Sequence, residues 1–438
     1  MGSFDELVDH ITNGTVFIDS CKEYWEGISA PLIITTISMI FMVIAGFDYI
    51  FGNRIGLGQK YAEGWGALPS LALAMVGITS FSPVFRIILQ PLLSPVFRAL
   101  GSDPSMFAGT ILACDMGGYP LAVKLSGDNL PVGLYSGCIL ASMMGATIVF
   151  NIPVGLSLIP PDRLIYFSYG TLLGLITVPF GCIAGGASMM LTPYHVSFVS
   201  LLKNLIPVII ISSILCLLLF FFPDGSMRGF LRFSSFIKFL CTLGAILAAF
   251  QQNAIIKFPL LNAMVVPENE NDGVNALYSA LLAIGQIAIM LTGTMPMVYC
   301  IYKYLGKYLA KLGRFAGLDE VGSSAIISCL SSSILSYEMF KDMDQQSMIV
   351  NAAFAVGGAF VLGDHLAYIG AMQNDMIVPM IIGKMAQGIL AIILAALTSK
   401  FLIKKINNEQ TPDANQNLKA TTSNAINESL LNITDDYQ

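Results

Sequence analysis

Residues 105–124 read SMFAGTILACDMGGYPLAVK. The stretch is apolar at both ends, but an aspartate, two adjacent glycines and a proline interrupt its middle. A bilayer core of about 30 Å takes roughly 20 apolar residues as one continuous helix. Paired glycines and a proline break such a helix and open its backbone groups. The segment therefore reads as a re-entrant hairpin with Asp115 near its turn. A second stretch of similar make, VGSSAIISCLSSSILSYEM at 321–339, is broken by glycine and serines and is expected to form a second hairpin.

The chain around these two stretches is membrane-like throughout. Of its 438 residues 55% are apolar and only 11% are charged, with a mean hydropathy of +0.72. A soluble domain carries about a quarter charged residues, so a large soluble enzyme and a disordered scaffold are both excluded. Apolar runs near 30–51, 66–92, 131–159, 164–190, 200–222, 230–251, 275–302, 347–371 and 376–403 make nine expected full spans. The fold class is an all-α polytopic membrane protein with about nine transmembrane helices and two broken hairpins. The net charge of −6 includes no basic stripe of the kind nucleic acid requires. Eight cysteines stand singly, without a CxxC pair, and read as small buried hydrophobes. Three scattered histidines make no metal triad, and no Walker loop, HExxH or nucleophile elbow occurs. An enzyme is not expected, nor a cofactor.

Charge placement orients the spans. Lys303, Lys307, Lys311 and Arg314 lie before the second broken stretch, and Lys400, Lys404 and Lys405 end the last run. Both basic segments stay cytoplasmic only if 321–339 dips in and returns. The acidic stretch 1–29 lacks a basic n-region and reads as an external arm, not a signal peptide. The polar segment 406–438 reads as a disordered tail. Residues 30–190 and 230–405 read as two membrane repeats joined by a linking span at 191–229. In each, a long span precedes a broken stretch and then a Gly-rich span, MMGATIVFNIPVG at 143–155 and VGGAFVLGDHLAY at 356–368. Sliding Gly145-Ala146 onto Gly358-Ala359 places Asn151 over Asp364. An odd number of spans separates the repeats, which makes them inverted, the architecture of secondary transporters.

Ionisable groups in hydrocarbon are costly and mark function by default. Asp115 and Asp364 each sit beside a glycine in a broken region, and two carboxylates in a low-dielectric pocket suit a small cation. The plainer alternatives are an Asp115–Lys124 pair pinning a hairpin and an Asp364–Lys384 pair. His365 either binds the ligand or only orients its neighbour. Ser332 and Ser333 either offer hydroxyls to a substrate or cap a half-helix. Asp48 is expected to face the interface or Arg54. Pairs such as Gly170/Gly174 and Gly181/Gly185 read as close-packing surfaces.

The blocks GALPSLALAMVG (66–77), PSMFAGTILACDMGGYPLA (104–122), YSGCILASMMGATIVFNIPV (135–154), TVPFGCIAGG (177–186) and FVLGDHLAYIGAM (360–372) resemble the bacterial EutH-type ethanolamine permeases. The resemblance covers roughly residues 30–405. The second hairpin departs from it, with Ser332-Ser333 where the family pattern implies two asparagines. The resemblance implies a permease of the bacterial inner membrane that imports ethanolamine, a protonated amine near neutral pH. On that footing Asp115 and Asp364 would receive the ammonium, while Asn151, Ser332, Ser333 and His365 would serve the hydroxyl or orient the acids. A coupling ion, proton or sodium, is compatible with such a site, as is a homodimer or other homo-oligomer. The rivals are an ion-coupled carrier of another small amine and a non-transporting membrane sensor.

Overall fold

The computed structural model describes residues 14–267, 273–313 and 316–409. The expected tail therefore lies almost wholly outside the described residues, as do Arg314 and the first thirteen residues of the arm. In chain order the main helices are α1 (Gly14–Glu26), α2 (Ala30–Ile50), α3 (Leu57–Ala99), α4 (Ser105–Ile111), α5 (Gly118–Ser126), α6 (Leu130–Leu158), α7 (Leu164–Ser188) and α8 (Phe198–Phe221). They continue as α9 (Pro223–Ala254), α10 (Ala276–Cys300), α11 (Gly306–Gly313), α12 (Glu320–Ser331), α13 (Ser333–Glu338), α14 (Gln345–Gly358), α15 (Asp364–Met372) and α16 (Ile377–Glu409). Every regular element among the described residues is helical, and eight continuous helical stretches there are long and apolar enough to cross a membrane. The protein is a polytopic membrane protein. Large apolar side chains such as Ile40, Phe47, Leu217, Leu397 and Phe401 stand exposed on the outer faces, as a lipid-facing surface requires.

The eighth expected span, 347–371, is corrected by the structure. It is two helices, α14 and α15, separated by an irregular segment at 359–363. Three glycines (357, 358 and 363) weaken the helix there, and Phe360 takes a positive φ of 62°. Asp48 also departs from expectation. It is 7% exposed, and its carboxylate accepts from the backbone N–H groups of Ile55 (3.0 Å), Leu57 (2.9 Å) and Gly58 (2.8 Å). The tight turn between α2 and α3 leaves those donors without helical partners, and the carboxylate satisfies them.

Both broken stretches double back. In the first, α4 gives way to extended backbone at Leu112 and Ala113, a short turn at Cys114–Met116, and then α5. Its two ends meet where Asn129 Nδ2 donates to Asp103 Oδ2 (3.4 Å). It is fastened to α6 by Ser136, whose Oγ donates to Ser105 O (2.7 Å) and accepts from Gly109 N (3.2 Å). In the second, extended Ser332 separates α12 from α13. Asp319 closes its base: Oδ1 accepts from Gly322 N (2.6 Å), Oδ2 accepts from Asp344 N (2.8 Å), and its own N–H donates to Ser347 Oγ (3.0 Å). Asn351 Nδ2 adds a bond to Gly322 O (3.0 Å).

The core is a close contact of α7 with α14 and α16. Gly174 lies so near α14 that an added Cβ would stand 2.6 Å from Ala353 O. Gly181 and Gly185 meet Gly383 and Gln387 of α16 in the same manner. The glycine pairs read as packing surfaces do that work, and direct backbone approach is what holds helices together when lipid is as apolar as the side chains.

The Asp319 carboxylate joins two backbone N–H groups, one from each end of the second hairpin, so Asp319→Ala should destabilise the protein by about 2 kcal/mol. Hydrogen exchange should accelerate over 320–345 and stay unchanged over 105–126. Equal acceleration in both segments would show that the base is not a local clasp.

Candidate functional site

The two breaks bring two partly covered acids towards each other. Gly117, at φ +86°, turns the first hairpin sharply after Asp115; a Cβ there would lie 1.6 Å from Ile78 Cγ2. Asp115, with 19% of its side chain exposed, faces α15, where Oδ1 lies 3.9 Å from His365 Nε2. Asp364 is the first residue of α15, a position where the helix dipole favours a negative side chain. Its carboxylate lies within the field of Asp115 and is itself only partly covered. Aromatic edges lock this arrangement: Tyr119 of α5 meets Tyr368 of α15 (6.0 Å between centroids), and Phe360 packs on His365 (5.3 Å).

The break that creates the start of α15 is held by hydrogen bonds to two neighbouring helices. Phe360 N donates to Cys329 O (3.1 Å) and Leu362 N to Leu330 O (2.9 Å), pairing it with the last turn of α12. The final carbonyls of α14 have no helical partner. Asn151 Nδ2 caps Ala355 O (3.1 Å) and Thr147 Oγ1 caps Val356 O (3.2 Å). Both come from α6, which is wound with wider π-helical turns over Tyr135–Gly145 and Thr147–Asn151.

The other candidates divide. Asn151 is bonded to α14 rather than to either carboxylate, and its buried Oδ1 has no partner. Ser332 caps α13, its Oγ accepting from Ile334 N (3.3 Å). Ser333 is fully buried, and its hydroxyl meets no partner. The buried Nδ1 of His365 is likewise unpartnered. An apolar groove between α7 and α8, lined by residues such as Leu172, Ile176, Phe180, Ile209 and Phe220, holds no carboxylate and offers nothing to a cation.

Sequence reasoning missed Cys114 as a member of the cluster and offered Lys384 only as a partner for Asp364. Cys114 is fully buried, and its sulfur lies within 4.8 Å of ligand atoms of both Asp115 and His365. A thiol, a carboxylate and an imidazole form a donor set for a transition metal. Lys384 of α16 lies within electrostatic range of Cys114, Asp115 and His365. Lys384 itself is 1% exposed and donates to Ser142 O (2.6 Å).

Comparison with known proteins assigns the family. The family described as "Ethanolamine utilisation protein, EutH" matches residues 31–398. The chain belongs to the EutH family. It is 39% identical over 373 residues to the probable ethanolamine permease EutH of Listeria monocytogenes, covering 85% of this chain and 95% of the relative. It is 40% identical over 392 residues to the probable ethanolamine permease EutH of Escherichia coli, covering 83% and 94%. A Bacillus subtilis relative, the uncharacterized protein YxeR, is 38% identical over 356 residues, 81% of this chain and 91% of its own length. No solved structure matches. The EutH match spans both hairpins and every residue of the cluster. With its bacterial permease relatives and eight apolar helices, the chain is a multi-pass protein of the bacterial inner membrane.

Gly117→Ala forces a side chain into a left-handed position, costing about 1–2 kcal/mol in backbone strain before the overlap with Ile78. In a background with the other cysteines replaced by alanine, maleimide labelling of Cys114 should quicken at least about tenfold as the turn lifts from α15. An unchanged rate would show that the turn tolerates the methyl group.

Proposed function

We propose that the protein imports ethanolamine, its ammonium received between Asp115 and Asp364, by alternating access. The observation that carries this reading is the convergence of two partly covered carboxylates from two separate helix breaks. Two carboxylates held close in a low-dielectric setting both stay ionised only when a cation joins them. The ammonium of ethanolamine is charged near neutral pH, as a lysine is, and brings three donors. Its hydroxyl needs a partner, and the unpartnered polar atoms of Ser333 and Asn151 support a role for one of them. The relatives named as probable ethanolamine permeases supply the substrate, and the absent catalytic constellation argues for transport over chemistry on the amine.

Alternating access draws its support from repetition. Each hairpin is closed at its base by an aspartate, Asp103 or Asp319. Each is fastened by a polar side chain of the helix that follows, Ser136 or Asn351. Each has a glycine of the following segment pressed on its break, Gly145 against Leu112 O and Gly363 against Ser331 O. Five membrane-length helices run from the first unit's opening span, Leu57–Ala99, to just before its counterpart Ala276–Tyr304. That odd number favours opposite orientations, so the hairpins would enter from opposite sides and meet near the midplane.

Purified protein in proteoliposomes should take up labelled ethanolamine. Asp364→Asn should lower uptake at least about tenfold while membrane insertion and thermal stability persist. Wild-type uptake by that variant would remove Asp364 from the site. Binding of ethanolamine without flux, in the presence or absence of imposed ion gradients, would favour a sensor over a carrier.

A further inference from the structure

The His365 imidazole is 2% exposed, yet its Nδ1 has no partner and its Nε2 stands 3.9 Å from Asp115 Oδ1, beyond hydrogen-bond reach. A buried polar group left open in this way needs a partner. The third group at this spot is the thiol of Cys114, fully buried at the tip of the first hairpin. One ligand atom from each residue (the sulfur, a carboxylate oxygen and a ring nitrogen) lies within 4.8 Å of the other two. No other three histidine, cysteine or acidic side chains among the described residues converge so closely. A tetrahedral Zn²⁺, bonded to sulfur at about 2.3 Å and to nitrogen and oxygen at about 2.0–2.1 Å, holds its ligand atoms roughly 3.3–3.6 Å apart. The 3.9 Å separation is close to that span, and none of the others exceeds it by more than about 1.5 Å. Charge suits the ion as well. A thiolate and a carboxylate cancel its two positive charges, so the bound metal brings no net charge into the hydrocarbon interior.

We propose that Cys114, Asp115 and His365 form a site for a divalent transition metal such as Zn²⁺, and that the bound ion inhibits transport by tying the first hairpin to α15. On binding, the Cys114 S–H bond breaks, its proton leaves to solvent and a metal–sulfur bond forms, with no change of oxidation state. The imidazole coordinates as a neutral ligand, and the three donors leave one tetrahedral position for water. The Asp115 side chain, 19% exposed, gives the ion its approach. Once bound, the metal occupies the carboxylate that the amine reading gives to the ammonium. It also fixes the residue next to Asp364 to the opposing hairpin. Inhibition therefore rests on the amine-transport reading, whereas metal binding stands on the geometry of the three donors.

The test uses the full-length protein, in lipid nanodiscs for binding and in proteoliposomes for uptake. Co²⁺ is the probe, because a cobalt–thiolate bond gives a near-ultraviolet charge-transfer band that carboxylate and imidazole ligands do not. Wild type should bind Co²⁺ with that band, and Zn²⁺ should displace it. The band should persist when the other cysteines are replaced by alanine and vanish in Cys114→Ala. If Cys114→Ala folds poorly, Cys114→Ser keeps the size of the side chain and should lose the band equally. His365→Gln should weaken Zn²⁺ binding at least about tenfold. Saturating Zn²⁺ should lower wild-type uptake of labelled ethanolamine at least about tenfold, while the uptake that Cys114→Ala retains should lose this sensitivity. A missing band in wild type, or one that survives in Cys114→Ala, overturns the site. Metal bound with the band but without loss of uptake overturns the inhibition. Wild type that takes up no ethanolamine in metal-free buffer overturns the amine reading, and the cobalt band still decides the metal site.

Discussion

Hydrocarbon offers no partner to a peptide N–H or C=O, so a chain that interrupts a helix inside a bilayer must complete the hydrogen bonds from its own neighbours. The rest of this structure follows from how that requirement is met. The break at 359–363 draws on α12, whose last carbonyls accept from Phe360 N and Leu362 N, and on α6, whose Asn151 and Thr147 cap the end of α14. Those same bonds satisfy the open end of α12 in return, since Cys329 O and Leu330 O have no helical donors of their own. One irregular segment thereby fixes the positions of three helices. The first residue it can release into a new helix is Asp364, and the second is His365, which faces Asp115.

This explains why some of the site was legible in the sequence and some was not. A broken apolar stretch announces itself by composition: Gly117-Gly118 with Pro120 in the first hairpin, and the serine run in the second, mark places where a helix cannot continue. Acidic residues beside such breaks are equally visible, because hydrocarbon makes every one of them an exception. The interruption at 359–363 was harder to see. Residues 347–371 are apolar enough to span, and what breaks them is the offer of better backbone partners from α12, a long-range fact. Asn151 has a structural partner that the sequence does not show. Its position opposite Asp364 in the repeat was visible, but the orphan carbonyl of Ala355 that claims its amide was not. Asp48 shows the same limit, since three backbone donors at residues 55, 57 and 58 cannot be inferred from the charge of Arg54 nearby.

The cysteines carry a related lesson. Single cysteines in apolar runs read as packing residues, and most of the eight are buried and all are free. Cys114 fits that description and still borders the acid–imidazole pair, because the short turn at Cys114–Met116 brings its sulfur and the Asp115 carboxylate together beside His365. Periodicity arguments assume a regular helix, and they lose their grip at the breaks where the chemistry is concentrated.

The hairpins also differ in a way that bears on how the protein could move. The first is wedged by backbone contact: Gly145 of α6 lies against Leu112 O, and Ser136 bonds both Ser105 O and Gly109 N, so its outer arm is bonded to α6 as well as to Asn129 at its base. The second is fastened at its base by Asp319 and Asn351, while its turn is joined to the 359–363 break by two backbone bonds. A displacement of the second hairpin would have to carry the break with it or expose four backbone groups to hydrocarbon. Moving hairpin, break and Asp364 as one body preserves every one of those bonds. The cheapest motion is therefore one that shifts Asp364 relative to Asp115, and a cation bridging the two acids would be both the guest and the link between the moving parts.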